Sequence, residues 1–167
     1  PHEAALRASA LWREHARRCG AATSLEKAEA AARDAARHAR NDDETIRAAL
    51  ELAQSGMLAF DLCGEPIRLD AVLTLLAALP TARRGDTAAA IAALHARLRA
   101  RQACLSGETS ALMEAAALLD GAVHGLKGQQ RPIEEDLRLD RAALMLEAGL
   151  AARDPRMLDQ AGADLRT

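Results

Sequence analysis

Aromatic side chains are almost missing from this chain: Trp12 and Phe60 stand alone, and there is no tyrosine. Half of the residues are nonetheless hydrophobic, so any core has to be assembled from leucine and alanine. Those two residues lead the helix-propensity scale, while the aromatic and β-branched residues that strands favour are scarce. The composition excludes a sheet protein and predicts an all-α fold. Lysine is equally sparse, with Lys27 and Lys127 the only two, and the net charge of −2 lacks the basic excess of a nucleic-acid binder. No apolar run reaches the roughly 18 residues that a membrane span needs, and the opening residues hold no signal-peptide core. Neither nucleic acid nor membrane is therefore expected as a partner. The three cysteines are an odd number, which forbids complete internal pairing and fits a reducing, cytoplasmic setting.

What is present is a period. Asp61 to Leu79, DLCGEPIRLDAVLTLLAAL, has the form of a helix end, a turn at Gly64-Glu65-Pro66 and a second, apolar helix. Placing Gly20, Gly107 and Arg153 on Gly64 aligns the remaining chain, with anchors 44, 43 and 46 residues apart. Self-similarity at such a period signals stacked helical hairpins. Five residues after each anchor stand Leu25, Leu69, Leu112 and Leu158. Three further on are Ala28, Val72, Ala115 and Ala161, then four beyond those Ala32, Leu76, Leu119 and Leu165. These positions share one stripe of a helix. Nine before each anchor are Leu11, Ser55, Leu98 and Leu144, and immediately before it a small residue, Cys19, Cys63, Ser106 or Ala152. Cys19 and Cys63 share that column, which predicts small buried fillers.

Local signals divide the period into eight helices. Thr23 with Glu26 reads as a capping box for the second helix, and Asn41-Asp42-Asp43 ends it and caps the third. Pro66 suits the first turn of the fourth, and Pro80 follows its end near Leu79. Asp86 is the expected cap of the fifth helix and Thr109 or Ser110 that of the sixth. Gly121, Gly125 and Gly128 predict a flexible stretch, after which Pro132 opens the seventh; Asp154-Pro155 is a strong start for the eighth. One helical domain over 1–167 is expected, with hairpins at about 3–40, 42–79, 86–123 and 132–166.

A helix, a turn at Gly with an acidic residue next, then a helix with a Leu/Ala stripe resembles the tetratricopeptide-like repeats. The closest match is Leu52, Ala53, Gly56, Ala59 and Phe60 leading into Gly64-Glu65, then Leu69, Ala71, Leu76 and Pro80. The small residue midway in the family's first helix appears as Gly56 and Gly149, with Trp12 and Arg99 at the matching positions of the other two units. The chain departs from the family in period, which is about 34 residues there, and in most aromatic signature positions. HEAT-type repeats have a period that fits better, but lack the Gly-acidic turn.

The resemblance implies a right-handed α-solenoid whose first helices line a concave groove for a partner protein or peptide. Mapped onto this sequence, the groove positions are Arg7, Glu14, Arg17 and Arg18 in the first unit and Glu51, Gln54, Leu58 and Asp61 in the second. Arg97 and Arg101 follow in the third, then Asp140 and Glu147 in the fourth. The lining is basic in units one and three and acidic in two and four. Read from the residues alone, the same side chains make a solvated helix face. Stacked repeats also expose apolar ends unless capped, so an end-face homodimer or further repeats would cover them.

No pattern calls for catalysis or a cofactor. None of the five histidines has another four residues on, so the helical zinc-protease pattern is absent. His15 and Cys19 lie four apart on one helix, but two ligands do not make a metal site. Glu134-Glu135-Asp136 is explained by the start of a helix. There is no phosphate loop and no nucleophile elbow. The expectation is a non-enzymatic interaction scaffold; the alternatives are a regulatory segment of a larger bacterial transcription activator or signalling protein and, at the margin, an all-α enzyme.

Overall fold

The computed structural model describes residues 1–79, 86–126 and 131–165. Among them all regular structure is helical, in eight helices: α1 (His2–Cys19), α2 (Ala22–Arg37), α3 (Asp42–Cys63), α4 (Ile67–Ala77), α5 (Asp86–Ser106), α6 (Thr109–Leu126), α7 (Arg131–Ala152) and α8 (Pro155–Asp164). They fall into two compact units, Pro1–Ala82 and Arg83–Thr167. Within the first, α1 packs on α2, α2 on α3 and α3 on α4, and α1 also meets α3. Within the second, α5 packs on α6, α6 on α7 and α7 on α8, with α5 meeting α7.

Each pair α1–α2, α3–α4, α5–α6 and α7–α8 is joined by a few residues, which brings the second helix back alongside the first. Among the described residues, four have a positive φ: Gly20 (65°), Gly64 (71°), Gly107 (73°) and Arg153 (53°). They are the four anchors of the sequence period. A left-handed residue after the last helical turn lets its own N–H reach back to a carbonyl that the helix leaves open. Gly20 donates in this way to Ala16, Gly64 to Phe60 and Gly107 to Ala103.

Most of the leucine stripe lies in the core. Leu25, Leu69 and Leu112 are buried and Leu158 half-buried; Ala28, Val72, Ala115 and Ala161 are all buried. Four residues on, Ala32, Leu76 and Leu119 are buried while Leu165 is exposed. Nine before the anchors, Ser55, Leu98 and Leu144 are buried but Leu11 is 72% exposed. In α3 and α7 a glycine lets the second helix approach closely. A Cβ on Gly56 would stand 2.6 Å from Val72 Cγ2, and one on Gly149 2.8 Å from Leu158 Cδ2.

Several local expectations are corrected. Cys19 and Cys63 are exposed, not buried fillers; they sit on the final turn, where the chain is already leaving the helix–helix contact. Thr23 does not cap α2. That helix begins at Ala22, after extended Ala21, and has no side-chain cap, because the left-handed turn at Gly20 lets it start sooner. Gly121 lies inside α6, which runs to Leu126, since one glycine costs a helix only about 1 kcal/mol. Thr109 is already helical rather than a cap. Asn41 does cap α3, its Oδ1 accepting the Glu44 N–H at 2.9 Å, and Asp154 caps α8 by accepting the Arg156 N–H at 2.9 Å. Asp86 is likewise the first helical residue of α5 rather than its cap, and the glycine at 128 lies outside the described residues.

Candidate interaction surface

The groove residues expected from sequence lie on α1, α3, α5 and α7, the first helices of the four hairpins. Half of them are engaged with one another. Glu14 forms ion pairs with both Arg17 and Arg18 on the last turns of α1, the Arg18 contact being 2.6 Å. The hydrogen bond from Arg18, then that from Arg17, holds the Glu14 carboxyl below the usual carboxylate range. Arg97 on α5 reaches Asp140 on α7, its Nε donating at 2.9 Å. Arg101 donates to the Arg97 carbonyl at 3.3 Å. Gln54 is half-buried on α3, and Asp61 and Glu147 are exposed near the ends of α3 and α7. The structure thus brings together Glu14, Arg17 and Arg18 in one unit and Arg97, Arg101 and Asp140 in the other.

Two pairs that the sequence reading missed join α1 to α3. Arg13 closes on Glu51, and Arg47 on Glu3. Glu3 and Arg47 both lie seventeen residues before their anchors, so equivalent positions on neighbouring first helices meet. Glu51 and Asp140 both lie thirteen before theirs, and each contacts an arginine of the preceding first helix. The alternation noted in the sequence, basic then acidic, therefore has a structural use inside each unit. The hydrogen bond from Arg47 holds the Glu3 carboxyl below its ordinary range.

Apolar surface is also on show. Leu139, Leu146 and Leu150 are exposed on α7, and with exposed Ala143 they follow the spacing of a single helix stripe. Among the described residues no group of three His, Cys, Asp or Glu side chains is placed to hold a metal ion, and no helix is long and apolar enough to cross a membrane. Comparison with protein-family models, with curated proteins and with solved structures finds no match.

Proposed function

We propose that the chain is a non-enzymatic scaffold of stacked helical hairpins, tetratricopeptide-like and following a right-handed solenoid path, that binds a partner protein or peptide along its first helices. The observation that carries this reading is that, among the described residues, the four with a left-handed backbone stand at the four sequence anchors. One hairpin geometry is used four times at a near-constant interval. The contacts of α1 with α3 and of α5 with α7 add to it, because within each unit one hairpin packs against the other, and the close approach at Gly56 and Gly149 shows two of the hairpins packed tightly within themselves. Arg17, Arg18 and Arg101 are the contacts to test. Arg97 is unsuitable, since its loss would leave Asp140 without the pair that joins α5 to α7.

The experiment is affinity capture from a cell lysate by wild type and by an Arg17→Ala/Arg18→Ala/Arg101→Ala variant with an unchanged circular dichroism spectrum. A protein retained by wild type and lost by the variant supports binding along the first helices. Equal retention moves the contact to another surface, with the α7 leucines next in order. Absence of any specific capture counts against a scaffold.

A further inference from the structure

Beyond partner binding, the end of α1 carries a chain of reactive groups. Cys19 Sγ lies 3.8 Å from His15 Nε2, within reach of a weak thiol hydrogen bond. The other ring nitrogen, Nδ1, lies 2.9 Å from Ser24 Oγ on α2. Ser24 is buried and Cys19 exposed, so the imidazole is anchored on its inner side and faces an accessible thiol on its outer side. The Trp12 indole meets the imidazole edge-on, centroids 6.0 Å apart, and Lys27 Nζ sits 4.3 Å above the indole. His15 itself is exposed, and one hydrogen bond and one edge contact with Trp12 hold its ring. An imidazolium here has a partner for each N–H, the Ser24 hydroxyl oxygen and the Cys19 sulfur.

We propose that Cys19 is a modification site, at which His15 and Ser24 promote exchange with low-molecular-weight disulfides to leave a mixed disulfide at the end of α1. The thiol proton passes to His15 Nε2 while Nδ1–H donates to Ser24. The sulfur electron pair attacks one sulfur of the incoming disulfide, forming the new S–S bond as the old one breaks. The departing thiolate takes the proton back from His15 and leaves as a thiol. One protein sulfur is oxidised, one reagent sulfur is reduced, and no further reactant is needed.

The molecule contains its own controls. Cys63 and Cys104 are also exposed, but four residues before them stand Ala59 and Ala100, which offer no base. Exposure alone predicts similar rates at the three thiols; the relay predicts that Cys19 leads. The test treats the whole chain with a neutral dithiodipyridine, so that attraction to Arg17 and Arg18 plays no part, and follows each cysteine by peptide mass spectrometry. Thiolate supply and attack control such rates, and Cys19 should react about fivefold or more faster than Cys63 and Cys104. His15→Gln should bring Cys19 down to the Cys63 rate while the other two thiols keep theirs, which also reports an intact fold. Ser24→Ala should give an intermediate rate. Equal rates at Cys19 and Cys63 in wild type overturn the assignment without any variant, as does a Cys19 rate unchanged by His15→Gln.

Discussion

Gly56 and Val72 meet so closely that a single added carbon would not fit: a Cβ on Gly56 falls 2.6 Å from Val72 Cγ2. Two effects oppose each other in Gly56→Ala. Alanine in a helix interior is better than glycine by about 0.5–1 kcal/mol, whereas overpacking costs about 1–3 kcal/mol. The clash is with a β-branched side chain on a buried stripe, which has little freedom to move, so the second effect wins. Urea unfolding should show Gly56→Ala less stable than wild type and Val72→Ala recovering part of the loss in the double variant. Equal stability of Gly56→Ala and wild type would contradict the close approach of α3 and α4.

Arg153 is the non-glycine among the four left-handed anchors, with φ at 53°. An L-residue with a Cβ pays about 1–2 kcal/mol for that conformation. Arg153→Gly should therefore stabilise the chain by about 1 kcal/mol, read as a higher unfolding midpoint. Gly64→Ala gives the reverse comparison, because nothing stands within 4 Å of a Cβ there and only backbone strain changes. A lower midpoint for Arg153→Gly would mean that the arginine side chain contributes more than its backbone costs.

These two sites also show what can be read from a sequence. The anchors were legible because a hairpin turn needs a particular backbone conformation, and glycine at 20, 64 and 107 advertises it. The stripe at Leu25, Leu69 and Leu112 was legible because burial repeats with the helix. Arg13–Glu51 and Arg97–Asp140 were not, since they depend on the register between helices 38 and 43 residues apart in sequence. The Cys19 column misled for a related reason. Small size is common to buried fillers and to the last residue before a tight turn, and only the packed structure distinguishes them.

The pair Arg13–Glu51 should be energetically coupled. Its side chains are 20% and 21% exposed, against 44% and 29% for Arg97–Asp140. Solvent screens the second pair more, and exposed pairs contribute only about 0.2–1 kcal/mol. A double-mutant cycle with Arg13→Ala and Glu51→Ala should give a coupling of about 1 kcal/mol, at the top of that range. The cycle on Arg97 and Asp140 should give less and lose more of it in high salt. A coupling near zero for Arg13–Glu51 would remove the ion pair as a fastener between α1 and α3.

Acid should weaken the fold in two separate windows. Burial, and then the charge of Arg99, push the His95 imidazole below its ordinary value of 6.5. The native state thus binds fewer protons than the unfolded chain just below that value, so its contribution is complete above it and is lost as pH falls through the folded value. Glu3 and Glu14 are also held below their ordinary value of 4.5 by arginine partners, so their contribution is present above 4.5 and disappears only at lower pH. Urea midpoints measured from about pH 7.5 to about pH 5.5 should fall, and His95→Gln should flatten that fall without touching the acidic limb. Glu3→Gln should do the opposite, altering the acidic limb and leaving the upper window as it was. An upper window unchanged by His95→Gln would remove His95 as the source of the proton uptake.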